Sequence, residues 1–328
     1  MANFLWRRIL WAIPTLIVVS FISFIIIQLP PGDYVTAYAA ELRNSGEYIT
    51  AAQEDAIRTQ LGLNDPILVQ YVRWIGNIVL HGDFGQSFHW NAPVSELIWG
   101  RLALTLLLSS LSLVFTWIIA IPIGVYSAQR QYSILDYVFT VFGFLGKGIP
   151  DFLLALILMW IGFAWLNIDV GGLISPRFEG APLSLAKIGN ILEHVWIPIV
   201  VLATGGAAGL IRVMRANMLD ELGKPYVETA YAQGLSERQV VWGYPVRVAL
   251  NPFISTVGWA LPALFSGDVI TAVVLNLPTT GPLMLQALKM QDMYLAGAFI
   301  LILSVFTVIG TLLSDILLAW SDPRIRYA

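Results

Sequence analysis

The chain has 328 residues, of which 57% are hydrophobic and only 12% charged, about half the charged share of an ordinary soluble domain. Its mean hydropathy is +0.74, and its apolar residues fall in blocks of the roughly 20 residues that a helix needs to cross a bilayer, so a polytopic membrane protein is expected. The absence of cysteine excludes disulfides and thiolate metal sites, and a net charge of −3 gives no reason to expect a nucleic-acid partner.

The first apolar run, residues 9–29, follows Arg7 and Arg8. It is too long for a signal peptide, and a Pro30-Pro31-Gly32 break separates it from the small residues Ala37–Ala39, so a retained spanning helix is expected. Residues 31–100 are polar and mixed, and read as a folded extramembrane loop with short helices. An amphipathic pair is expected around the Asn64-Asp65-Pro66 turn. Later spans are expected at about 102–126, 134–165 (interrupted by Gly146, Gly148 and Pro150), 195–213, 252–275 and 295–319. That makes six spans in an all-α integral membrane protein. A polar loop is expected at about 167–193, and another after span five, from Asn276 to Tyr294. His81, His89 and His194 are too scattered for a metal site and read as loop or boundary residues. Several tryptophans, Trp11, Trp74, Trp165 and Trp196 among them, fall near predicted membrane interfaces, as aromatic belts do.

Orientation follows from lysine and arginine. With the N-terminus inside, Arg7, Arg8, Arg130, the basic residues of 212–252, Arg324 and Arg326 all face the cytoplasm. The opposite side carries Arg43, Arg58, Arg73, Arg177, Lys187 and Lys289 on a longer stretch of chain. The positive-inside bias therefore predicts cytoplasmic N- and C-termini and an extracytoplasmic 31–100 loop.

Residues 212–252 then form a cytoplasmic loop between spans four and five, and its helix punctuation is clear. Pro225 suits a first helical position, where its missing N–H costs nothing. Gly234 suits a left-handed stop, and Ser236 with Gln239 has capping-box spacing for a second helix toward Leu250. Tyr226, Ala230 and Gly234 recur at helical spacing with few charges between them, more than a solvated linker requires. No Gly-x-x-x-x-Gly-Lys-Ser/Thr occurs in the chain, so it has no phosphate cradle and any ATP must be hydrolysed elsewhere.

Glu228-Thr229-Ala230, Gly234 and Arg247-x-Ala249-Leu250-x-Pro252 resemble the EAA loop of ABC importer permeases, with Thr229 in place of the first alanine. The branch resembled is the binding-protein-dependent one for oligopeptides, dipeptides and nickel. Pro31-Gly32-Asp33, Leu61-Gly62-Leu63, Gly82-Asp83-Phe84-Gly85-x-Ser87 and Asp322-Pro323-Arg324 are similar to it in order and spacing. Asn276-Leu277-Pro278-Thr279-Thr280-Gly281 departs from the Pro-Gly-Leu-Gly common in peptide permeases. The resemblance implies a type I importer permease fold with a coupling helix at Tyr226, Glu228, Thr229, Ala230, Gly234 and Arg247. It implies no cofactor on this chain, with ATP and magnesium on two ATP-binding partners, and a second, similar permease and an extracytoplasmic binding protein beside them. Peptides are the expected solute, with oligosaccharides as the alternative.

Charges inside the spans cost about 2.5–3.5 kcal/mol even on lenient insertion scales. Lys147, Asp151 and Asp268 are therefore candidates to line a polar passage, unless Lys147 and Asp151 merely neutralise one another. Gly205-Gly206-Ala207-Ala208-Gly209 gives span four a small face for close helix packing, within the chain or against a second subunit. An ATP-independent secondary transporter is the rival from another class. It would show paired broken helices in inverted repeats, and only span three is clearly broken.

Overall fold

A computed structural model describes residues 2–29, 32–46, 48–168, 171–178, 180–182, 184–256 and 269–321. The described chain is nearly all helix. Its helices are α1 (Ala2–Gln28), α2 (Tyr34–Ser45), α3 (Ala51–Leu61), α4 (Ile67–His81), α5 (Val94–Gln129), α6 (Ile134–Gly148) and α7 (Asp151–Leu166). There follow α8 (Leu185–Leu222), α9 (Pro225–Ala232), α10 (Glu237–Gly243), α11 (Pro245–Ala249), α12 (Val269–Val274), α13 (Thr280–Lys289) and α14 (Met293–Ser321). Residues 251–256 are helical as well. Among the described residues four helices are long and apolar enough to cross a membrane, in α1, α5, α8 and α14. A fifth crossing is available if α6 and α7, bent by 105° at their junction, act as one span. The fifth span expected at about 252–275 falls largely on residues 257–268, which lie outside the described residues.

Several boundaries differ from those expected. Span four is the middle of a 38-residue helix, about 57 Å long and nearly twice the hydrocarbon thickness. It starts inside the expected 167–193 loop because Ser184 caps it, its hydroxyl accepting from the Lys187 N–H at 3.2 Å. It ends only at Leu222, because helical hydrogen bonding does not stop where apolar composition does. The loop expected after Asn276 contains α13, whose Leu283 and Ala287 are fully buried. Their spacing of four is a helix period.

The chain divides into two compact units, Met1–Leu104 with Pro278–Ile309, and Thr105–Leu277 with Gly310–Ala328. In the first, α1 packs on α4. Phe24 stacks on Trp74 at 5.5 Å, and the Ser20 and Tyr71 hydroxyls lie 2.8 Å apart. Trp74 is thus a core residue, 3% exposed, and not the interface anchor expected. Its indole also lies against Gly297 of α14, where an added Cβ would meet it at 3.2 Å. The Asn64-Asp65-Pro66 turn joins α3 to α4, as its residues predict. Asp33 caps α2 and takes Arg58 of α3 with two prongs, Nε–Oδ2 at 2.6 Å and Nη2–Oδ1 at 3.2 Å. The wholly buried Asp292 accepts from Ser87 Oγ at 2.5 Å, and from the backbone N–H groups of Leu295 at 3.2 Å and His89 at 3.3 Å. That carboxylate pins the Gly-Asp-Phe-Gly-x-Ser turn to the start of α14.

In the second unit α8 is the central element, with α6, α7 and α11 packed along it. Its small face is used within the chain. An added Cβ at Gly146 of α6 would meet Thr204 at 2.8 Å, one at Gly143 would meet Ala208 at 3.7 Å, and one at Gly124 of α5 would meet Met214 at 2.5 Å. Helices approach this closely only where side chains are small. His194 lies inside α8 and is buried, unlike the boundary residue expected. Its Nδ1 sits 2.7 Å from the Asn190 carbonyl, and Asn190 holds the Ser175 N–H at 2.8 Å.

Candidate functional site

Residues 212–252 hold the first candidate site. α8 ends at Leu222 with Gly223 as its cap, and Lys224 leads into α9 with Pro225 at its first position, as the proline predicts. α9 stops at Ala232 with Gln233 as its cap, and the chain reverses through Gly234 at φ +81. α10 opens behind Ser236, whose backbone N–H donates to Gln239 Oε1 at 3.0 Å. The expected continuous helix to Leu250 is broken. Pro245 cannot supply the N–H that a helix would require of it, so α10 ends at Gly243 and α11 starts afresh after Tyr244.

The α9 residues divide by face. Val227 and Ala230 point inward and form a small cluster with Val240 and the partly buried Leu235, which fixes α9 against α10. Ala230 is 3% exposed, and its small side chain permits the close approach of α9 to α10 within the chain. Tyr226, Glu228, Thr229 and Tyr231 are exposed, as are Gly234 and Arg247. Thr229 turns its hydroxyl back to the Pro225 carbonyl at 2.9 Å, so it adds no unmet polar group where the resembled motif carries alanine. The Tyr226 hydroxyl donates to Glu221 at 2.5 Å. Partial desolvation of the hydroxyl where it meets α8, with the Glu221 carboxylate adding to it, pushes that phenol well above its ordinary pKa, so it stays a donor.

Beneath this surface lies a shared core. Val241, Val246, Ala249 and Phe253 pack on Met214 and Met218 of α8 and on Ala120, Val125 and Ala128 of α5. The loop is rooted in the two longest helices and is no free linker.

The second candidate set lies at the α6–α7 break. Lys147 is in the last turn of α6 and Asp151 is the first residue of α7. A cation at a helix C-terminus and an anion at an N-terminus are each favoured by the backbone dipoles, typically by 0.3–1 kcal/mol. Lys147 is exposed. The Asp151 carboxylate lies over Gly205 of α8, where an added Cβ would meet Oδ1 at 3.3 Å. Asp268 lies outside the described residues.

Residues 120–327 match the family described as the binding-protein-dependent transport system inner membrane component, and residues 1–109 match the N-terminal part of such membrane components. The chain belongs to this family. Over 328 residues it is 38% identical to the oligopeptide transport system permease protein AppB of Bacillus subtilis (strain 168), with all of both chains covered. It is 29% identical over 343 residues to the dipeptide transport system permease DppB of Escherichia coli (strain K12), covering 100% of this chain and 99% of that one. It is 29% identical over 319 residues to the nickel import system permease NikB of Staphylococcus aureus (strain bovine RF122 / ET3-1), covering 97% and 90%. The chain is an ABC importer permease of the oligopeptide, dipeptide and nickel branch, a multi-pass protein of a bacterial membrane. Its family is one of transport subunits, not of enzymes.

One contact in the permease was not expected from the sequence. Asp136, in the first turn of α6, pairs with Arg215 of α8 at 3.2 Å. The residues are 79 positions apart, beyond any local pattern. The only sequence signal was a carboxylate behind the Ser133 cap of an otherwise apolar run.

Proposed function

We propose that this permease forms half of the pathway of an ATP-driven peptide importer, with six spans and cytoplasmic termini. In this reading 31–100 is extracytoplasmic, and 212–252 is the cytoplasmic element through which two separate ATP-binding subunits drive the pore. A second, similar permease completes the pathway and an extracytoplasmic binding protein delivers the solute. ATP and magnesium belong to the partner subunits. The observation that carries the coupling role is the two-faced α9. Val227 and Ala230 tie it to the chain's own core, while Tyr226, Glu228 and Thr229 face outward beside Gly234 and Arg247. Peptides are favoured as solute by the names of full-length relatives, oligopeptide at 38% identity and dipeptide at 29%.

The whole assembly, reconstituted in vesicles with its binding protein, is expected to accumulate labelled dipeptides or oligopeptides only with ATP. Accumulation of nickel or a sugar in place of peptides would reject the peptide assignment while leaving the importer intact. Lys147, Asp151 and Asp268 are proposed to line the passage. Wild-type uptake by both Lys147→Met and Asp268→Asn would leave them a structural role alone.

A further inference from the structure

The contacts between α6 and α8 are of two kinds. Toward the break small residues meet, Gly143 against Ala208 and Gly146 against Thr204. Such contacts are non-directional and let one helix slide on the other. At the far end, about 16 Å along α8 from Thr204, Asp136 and Arg215 make a directional, charge-assisted bond. Asp136 is 4% exposed, and its carboxylate also accepts from the Tyr132 N–H at 3.0 Å. Arg212, one turn earlier on α8, places its guanidinium over the Phe144 ring of α6 at 5.6 Å.

The Asp136–Arg215 pair is incomplete in a specific way. A guanidinium and a carboxylate fit one another with two parallel bonds, yet only Nη2–Oδ2 is made here. Asp136 Oδ1 and Arg215 Nε are both buried and make no hydrogen bond of good geometry among the described residues, although the Ser127 hydroxyl lies near enough to the Asp136 carboxylate to help stabilise its charge. Burying two such atoms unpaired is costly, and a small shift of α8 along α6 that brought them together would recover part of that cost. Arg215 lies ten residues before Pro225, on the same helix that delivers the chain to α9. α6 leads directly to the 105° break between Lys147 and Asp151.

We propose that Asp136 and Arg215 are positioning residues that transmit displacement of the 212–252 region to α6, passing from a one-pronged to a two-pronged bond as they do so. This rests on the coupling role assigned to that region. The pair holds α6 to α8 at the driven end, and the small-residue contacts beyond it let α6 pivot, which changes the angle of the broken span.

The chain has no cysteine, so once the cysteines of the partner subunits are replaced, spin labels attach only where they are placed. In the complete transporter, label pairs Ile118→Cys with Ala232→Cys and Ile118→Cys with Tyr137→Cys report on α9 and α6 against α5; all three sites are exposed. On addition of ATP, magnesium and vanadate, both distances are expected to shift in the otherwise unaltered complex. In Asp136→Asn or Arg215→Gln the α9 shift is expected to persist while the α6 shift falls at least twofold. The reciprocal pair Asp136→Arg with Arg215→Asp is expected to restore it. A full α6 shift in the single variants overturns the proposal. So does a reciprocal variant that assembles without recovering the shift, or failure of singles and reciprocal alike to assemble, which would make the pair structural only. A stationary α9 reporter in the unaltered complex would instead overturn the coupling role, and the proposal with it.

Discussion

Gly234 allows strain within the chain to be separated from collision with a partner. At φ +81 it occupies the left-handed region, where a side chain costs about 1–2 kcal/mol. That cost is nearly the same for Gly234→Ala and Gly234→Trp. An added Cβ meets no atom within 4 Å, so the alanine methyl adds no collision, and the position is exposed, so the indole has solvent to turn into. The permease alone should therefore lose similar stability in both variants, read as melting temperatures within a few degrees of one another. Against the ATP-binding subunits the two should part. If the exposed end of α9 seats in a groove of the partner, the tryptophan adds an overpacking cost of about 1–3 kcal/mol, roughly 5- to 150-fold in affinity. Titrating purified ATP-binding subunits onto each solubilised variant measures the difference. Equal affinity for the alanine and tryptophan variants, at equal melting temperature, would refute the placement of Gly234 at the interface.

Further outcomes follow from the packing and the buried charges. Gly124→Ala brings a methyl to within 2.5 Å of Met214 Cβ and 3.0 Å of the Ile211 carbonyl, and should destabilise by about 1–3 kcal/mol, seen as a lower melting temperature. Asp292→Leu leaves Ser87 Oγ and the backbone N–H groups of His89 and Leu295 without their acceptor, at about 1–3 kcal/mol for each donor left dry. Asp292→Asn keeps an acceptor oxygen and should melt closer to the unaltered protein. Burial raises the Asp33 carboxyl, but hydrogen bonds from Arg58 and Thr36 outweigh it and hold the native pKa below its ordinary value. Its contribution is therefore complete above the ordinary carboxylate value of about 4 and lost as pH falls through the depressed one. The melting-temperature gap between the unaltered chain and Asp33→Asn should be constant near neutrality and close in acid. A gap that widened in acid would reverse the sign of this argument.

How much of this was legible depended on range. Pro225, Gly234 and Ser236 act on their own backbone, and each does in the structure what its chemistry predicts. Pro245 carries the same kind of signal for the break after Tyr244, yet the apolar run through it masked the stop. The inward turn of Ala230 was not legible, because an eight-residue helix offers two turns and no long period from which to phase a buried face. Trp74 and His194 were misplaced for another reason. An amphipathic ring at a membrane boundary and one in a core look alike in sequence, and only Phe24, Gly297 and Asn190, distant or on another turn, decide between them. Asp136–Arg215 joins two helices across 79 positions and could not be foreseen from spacing. Composition marked where apolar blocks lie, but the ends of α8 were set by Ser184 and by continuing hydrogen bonds into polar sequence.

The central claim is that this permease is moved by other chains acting on residues 212–252. Its most direct test is to purify the full-length chain under mild detergent from membranes in which it is made at native level, and to identify what accompanies it in stoichiometric amount. The account predicts two ATP-binding subunits, lost together when Gly234→Trp is introduced while a second permease is retained. A chain that purifies without any ATP-binding partner, yet transports its solute when reconstituted alone, would contradict it.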